Sequence, residues 1–244
     1  MKEFEKLSLA KIVTLKSEAA LLFEKYQLDF CCRGKQTLSE AMAGKSEDYI
    51  EVKKALNDLF SEAENKVEIK FDEITLTKLI DYILEKHHRF VKEAGPLILG
   101  HLNKIVSKHS EMHPELLRIN ELFIEVEQEL RQHMMKEEVV LFPRIKQIEA
   151  FAGNKFSEGK IFMIEAPIQV MEAEHENAGN LLKEINLISE NYLAPAGACT
   201  TYKLTFDELE KFELDLHRHV HLENNILFPK AIELQSKLQN VIFG

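Results

Sequence analysis

The chain has 244 residues, 45% hydrophobic and 30% charged, with no tryptophan and a formal net charge of −10. So acidic a balance excludes a general nucleic-acid or anionic-membrane partner, because both need a basic footprint. No run reaches the roughly 20 apolar residues of a membrane span, and three cysteines make no disulfide framework, so a reducing cytoplasm is the expected home.

The opening MKEFEKLSLAKI has neither the apolar core nor the small-residue cleavage site of a signal peptide, so it reads as structure. Residues 1–65 are expected to form a small helical domain. Ser8 can cap a first helix whose stripe Leu15, Ala19, Leu22, Phe23 and Tyr26 ends near Gln27. A turn follows with Asp29, Phe30, Cys31, Cys32, Arg33 and Gly34. Thr37 opens a short helix closed by Gly44, and Ser46 caps a longer one carrying Val52, Ala55, Leu56, Leu59 and Phe60. Residues 62–72 are polar, with only Val67, Ile69 and Phe71 alternating, and read as an extended linker.

Residues 74–244 are expected to hold four long helices. The first covers residues 75–108, with Gly95-Pro96 marking a kink or break. The second covers 114–150, with Pro114 well placed at a helix start, and a loop bounded by Gly153 and Gly159 ends it. The third covers 167–191, and Ala194-Pro195-Ala196-Gly197 leads to the fourth, 201–237. The expected fold is therefore all-α: an up-down-up-down four-helix bundle preceded by a small helical domain.

Two stretches share one template. HMMKEEVVLFP (133–143) and HVHLENNILFP (219–229) both read His, three residues, Glu, three residues, Leu-Phe-Pro. Residues four apart share a helix face roughly 6 Å from each other, so each stretch presents an imidazole beside a carboxylate. Two such pairs suit a pair of oxygen-philic transition metals, with carboxylates as bridges. Matching bends are expected at Pro143 and Pro229.

Register supports the pairing. The midpoint of His88 and His133 falls near Ser110, that of the His133/Glu137 pair and His175 near Lys155, and that of His175 and the His219/Glu223 pair near Ala198. All three are expected turns, so hairpin symmetry puts these groups in one layer of the bundle. They also replace apolar residues on inward stripes, such as Val126, Leu130, His133, Glu137 and Leu141. Buried ionisable groups are costly unless paired or metal-bound. A lone inward histidine is usually a hydrogen-bonded core residue, and a lone Glu four residues from a His is usually a solvated pair; the repeat and the common height favour metal.

Periodicity does not choose between His87 and His88, since both continue apolar stripes. His109 lies far from the layer on a straight helix, and the Pro96 break leaves it open as an extra ligand. His217 and His221 fall off the apolar stripe and read as surface residues or supports behind the ligands; His101 and His113 read as surface. Glu129 and Glu174 are candidates to line a channel to the metals, or are two more solvated glutamates.

On these blocks the chain resembles hemerythrin-like bundles. More specifically, DFCCRGKQTL (29–38), HMMKEEVVLFP, MEAEHENAG (171–179) and HVHLENNILFP, in this order, resemble the iron-sulfur cluster repair di-iron proteins, the repair-of-iron-centres family. The resemblance implies iron ligands at His88, His133, Glu137, His175, His219 and Glu223, with Glu137 and Glu223 as bridges, and so selects His88 over His87. It implies two non-haem iron ions, carboxylate-bridged with an oxo or hydroxo oxygen, in a cytoplasmic homodimer. Its implied role is to restore iron-sulfur clusters damaged by nitric oxide or oxidants, so damaged iron-sulfur proteins, nitric oxide and O2 are the expected partners. The family's turn reads Cys-Cys-Gly-Gly, whereas Arg33 stands here at the first glycine.

The third helix offers Met171, not a second histidine, one turn before His175. Fewer imidazoles should leave the iron more open and more easily released, which favours iron donation. Cys31 and Cys32 read as a thiol pair for redox, nitrosation or metal hand-off, against a plain small buried turn; Cys199 reads as incidental. The competing functions are a nitric oxide or oxygen carrier or sensor, and a di-iron nitric oxide reductase.

Overall fold

The computed structural model describes residues 4–61, 69–153 and 163–243. Most of the expected linker and of the glycine-bounded loop lies outside these residues. Among the described residues every regular element is helical, and the one β-type pairing is an isolated bridge between Ser8 and Thr37. Contacts divide the chain into two compact units, one of residues 1–75 with 217–230 and one of 76–216 with 231–244.

In the first unit, α1 (Leu9–Leu15) starts where the Ser8 hydroxyl accepts the Lys11 N–H. It stops at Lys16, whose backbone is extended, so the single helix expected to reach Gln27 is two, α1 and α2 (Ala19–Lys25). Gln27 at φ 51° ends the second. A capping box of Thr37 and Glu40 opens α3 (Leu38–Ala41), Gly44 at φ +86° turns the chain, and α4 (Ser46–Ser61) follows. Apolar Phe4, Ile12, Phe23, Leu38, Val52 and Leu56 are wholly buried. The same unit takes in part of the fourth bundle helix, where Phe30 lies edge-on to His217 and His221.

The second unit is built of long rods. The first comprises α5 (Leu76–Ile83), a π turn (Leu84–His88) and α6 (Arg89–His109). The next comprises α7 (Glu115–Lys136), a π turn (Glu137–Leu141) and α8 (Phe142–Ala152). Then comes α9 (Glu165–Ile188), followed by α10 (Thr200–Leu222), a third π turn (Glu223–Leu227) and α11 (Phe228–Phe243), of which residues 217–230 belong to the first unit. The rods pack in neighbouring pairs: α6 on α7, α7 on α9, and α5 on α8. Their inward stripes, among them Leu102, Ile119, Phe123, Val126, Leu182 and Ile185, are buried, and Phe212 lies 5.1 Å edge-on to Phe123. Three successive left-handed residues, Glu190, Asn191 and Tyr192, stop the helical path after α9.

Pro96 does not break the first rod; α6 runs through it. The departures from α geometry lie elsewhere. Each π turn is closed by a backbone bond five residues long: Arg89 N–H to the Leu84 carbonyl, Phe142 N–H to Glu137, and Phe228 N–H to Glu223. Two of them immediately precede Pro143 and Pro229, where bends were expected. A proline has no N–H for the carbonyl four residues back and its ring crowds that carbonyl, so a widened turn is a natural response.

Candidate metal centre

The π turns carry three of the expected ligands. His88 ends the first, Glu137 begins the second and Glu223 begins the third. Single π turns inside α-helices collect at functional sites because they re-aim side chains without ending the rod.

In the second unit, His88, His133, Glu137 and His175 are all buried, none more than 1% exposed. His88 Nε2 lies 3.3 Å and His133 Nε2 3.2 Å from the same Glu137 oxygen, Oε2. His175 Nε2 is 2.9 Å from His133 Nε2. Met171, one turn before His175 on α9, is buried as well. In the first unit, His219 Nε2 lies 3.0 Å from Glu223 Oε1, both side chains fully buried.

The outer nitrogens are held by carboxylates. His88 Nδ1 lies 2.8 Å from Glu138 Oε1, which also accepts from Lys92, and the ring stacks on Phe142. His133 Nδ1 lies 3.0 Å from Glu174 Oε2, and Glu174 pairs in turn with Lys136. The His133 hydrogen bond, joined by that of Lys136, outweighs desolvation and holds the Glu174 carboxyl down at about 2. Burial pushes Glu138 up, but hydrogen bonds from Lys92 and His88 outweigh it and keep its carboxyl below the usual range. A carboxylate on Nδ1 fixes the tautomer that leaves the Nε2 lone pair facing Glu137, an arrangement typical of metal-bound histidine. Either protons on Nε2 or a cation must then sit between these nitrogens and the carboxylate, and metal binding exchanges the first for the second. Two imidazole nitrogens each about 2.1 Å from one ion, at a right angle, stand roughly 3 Å apart. The His133–His175 spacing fits, and these are buried His/Glu groups that can hold a metal.

Glu138 escaped the sequence reading, although it follows Glu137 directly and a second carboxylate beside a ligand is a usable signal. His87 and His88 are both buried because the π turn sends them apart, His87 Nδ1 to Asp215 at 3.0 Å and His88 to Glu137. His221 is buried, not on the surface; burial pushes its pKa down to about 4, and Thr14 and Asn225 lie at its ring nitrogens. His217 is paired with Glu24 at 2.7 Å. His101 and His113 are half-buried, beside Glu208 and Glu115. His109 stands at the end of α6, 3.4 Å from Cys199 and edge-on to Tyr202. Glu129 and Glu174 line a cleft between α7 and α9 with Gln132, Lys136, Gln169 and Asn177. Cys31 is buried and Cys32 exposed, and both are free thiols, as is Cys199.

Residues 78–231 match the family model described as the hemerythrin HHE cation binding domain, and residues 5–60 match a domain of unknown function, DUF542. Among similar proteins, the iron-sulfur cluster repair protein YtfE of Enterobacter sp. (strain 638) is 34% identical over 94% of this chain and 98% of its own. The protein of the same name from Citrobacter koseri is 36% identical over 88% of this chain and 91% of its own. That of Escherichia coli O8 (strain IAI1) is 37% identical over the same shares.

Proposed function

We infer the function from family membership: this chain belongs to the iron-sulfur cluster repair proteins that carry a hemerythrin HHE cation binding domain. It is an iron-binding repair protein, and damaged iron-sulfur proteins are its targets. Its centre, in our reading, holds two irons on His88, His133, Glu137, His175, His219 and Glu223, with Glu137 and Glu223 shared between them. The observation that carries this is the aim of His88 Nε2 and His133 Nε2 at one Glu137 oxygen, with both Nδ1 atoms tied to carboxylates. The repeated template supports it for the second pair, because Glu223 begins a π turn as Glu137 does.

Bound iron supplies reversible ferrous–ferric change and a store of metal for rebuilding clusters. The chain's own residues set how firmly it is kept. Glu138 and Glu174 orient His88 and His133 and hold the Nδ1 protons. Met171 stands where another imidazole would tighten the site. The Glu129–Glu174 cleft is the proposed route for iron, with Lys136 paired to Glu174 on its lining. Donation of iron, with nitric oxide or O2 as small ligands, is the activity this arrangement favours. A cytoplasmic setting rests on the free thiols, and a homodimer on the family resemblance.

The test is anaerobic. Ferrous protein is mixed with a dehydratase whose cluster has been damaged, with no other iron present. Restored dehydratase activity, with two irons per chain by metal analysis, is expected. His133→Ala should contain less iron and restore less activity. No recovery with the iron-loaded wild type would overturn donation, and one iron per chain would overturn the paired site.

A further inference from the structure

The turn after α2 gathers three more ligand groups. Asp29 Oδ1 accepts the backbone N–H groups of Cys31, Cys32 and Arg33 at 3.1, 2.8 and 3.2 Å. That oxygen lies 3.3 Å from Cys31 Sγ, and the two sulfurs are 3.9 Å apart. The three side chains present ligand atoms that all lie within 4.8 Å of one another. The turn is braced from outside the cluster: Asn225 Nδ2 donates to the Cys31 carbonyl at 2.9 Å, and Ala10 N–H to the Gly34 carbonyl at 2.9 Å.

We propose that Asp29, Cys31 and Cys32 form a second metal site, which takes a thiophilic divalent cation of the zinc class on two thiolates and a carboxylate. It shares no residue with the His/Glu centre, so it stands or falls apart from the function inferred above.

Two thiolates about 2.3 Å from a tetrahedral ion stand roughly 3.8 Å apart, and the sulfurs are already at 3.9 Å. The brace on the Cys31 carbonyl and the three N–H bonds to Asp29 hold the ligands near that geometry before any ion arrives. Charge points the same way. The hydrogen bond with Cys32, then burial, then the charges of Cys32 and Asp29 push the Cys31 thiol well up, so without a counter-ion Cys31 keeps its proton. A cation reverses this, since a coordinating thiol is deprotonated outright. Binding forms two metal–sulfur bonds, breaks two S–H bonds and releases both protons to solvent, with no change of oxidation state. Cys32 and Asp29 are exposed, so an ion can enter directly and a fourth position stays open to water or to a ligand from another protein. Soft thiolate donors favour zinc.

The test titrates the full-length, reduced protein with cobalt(II) without air. Sulfur-to-cobalt charge-transfer absorption in the near ultraviolet should saturate at one ion per chain, since the His/Glu centre offers only nitrogen and oxygen. Cys199→Ser should leave the band intact, whereas Cys31→Ser and Cys32→Ser should abolish it. Asp29→Asn should weaken binding by at least about tenfold. Absence of the band in the wild type, or its survival in the double serine variant, would overturn the site. Should the serine variants fail to fold, the wild type alone decides. One equivalent of zinc should slow alkylation of Cys32 by iodoacetamide, and an unchanged rate would reject the proposal.

Discussion

Gly34 occupies a position that admits no side chain. A β-carbon there would stand 2.3 Å from the Phe30 carbonyl oxygen and 2.8 Å from Ala10 Cβ. Arg33, the departure from the family's double glycine, is exposed and contributes a backbone N–H to Asp29. The steric demand of the turn therefore falls on its second glycine. Gly34→Ala should destabilise the protein by about 1–3 kcal/mol, and Arg33→Gly should stay within about 0.5 kcal/mol, both read from urea denaturation. Equal losses from the two would contradict this assignment. Tyr202 makes a second residue-scale case. Burial, then the charge of Glu115, pushes its phenol up to about 12. The folded state thus keeps a proton that the unfolded chain releases near pH 10, so this contribution to stability is complete below about pH 10 and is lost as pH rises towards 12. In Tyr202→Phe the fall in denaturation midpoint between pH 9 and 11.5 should be shallower than in the wild type; parallel falls would refute the shift.

Among the elements, α5 depends on a distant neighbour for its start. Glu149 on α8 accepts the first backbone donors of α5, Leu76 N–H at 2.6 Å and Thr77 N–H at 2.9 Å. A carboxylate here satisfies helix-end amides and faces the positive end of the helix dipole. Glu149→Ala should cost about 1–2 kcal/mol, Glu149→Gln less than that, by chemical denaturation; an undestabilised Glu149→Ala would mean water caps α5 equally well. No local pattern announces such a cap, because its partners are more than 70 residues apart. Features written in short spacings were legible instead. The 3–4 stripes located the bundle helices to within a few residues, and Thr37 with Glu40 wrote its own capping box. The π turns show the boundary of that legibility. Pro143 and Pro229 signalled irregular helix nearby, but Leu84–His88 has no proline beside it, and Pro96, which has the same chemistry, sits inside an unbroken helix. A widened turn is decided by where the side chains on either side must pack. The same turn hid the difference between His87 and His88, since both continue apolar stripes and both are buried.

For the molecule as a whole, the buried histidines and glutamates set stability against function. Glu137 is fully buried beside His88 and His133, and its charge is unfavourable there unless protons or a cation answer it. A cation that binds the folded chain and not the unfolded one adds about 2.7 kcal/mol at a hundred times its dissociation constant. For a chain of this length each kcal/mol is worth about 2–4 °C, so ferrous ion without air should raise the unfolding temperature by roughly 5–10 °C. Two variants show whether the rise belongs to the centre. Glu137→Gln keeps the shape but removes the charge, and should lose most of the ferrous shift. Glu149→Ala should lower the starting temperature yet keep the shift whole, because distant, independent sites add. Chelation should return the wild type to its iron-free value. If ferrous ion left the unfolding temperature unmoved, or moved Glu137→Gln as far as the wild type, these side chains would be a hydrogen-bonded core and not the seat of the iron.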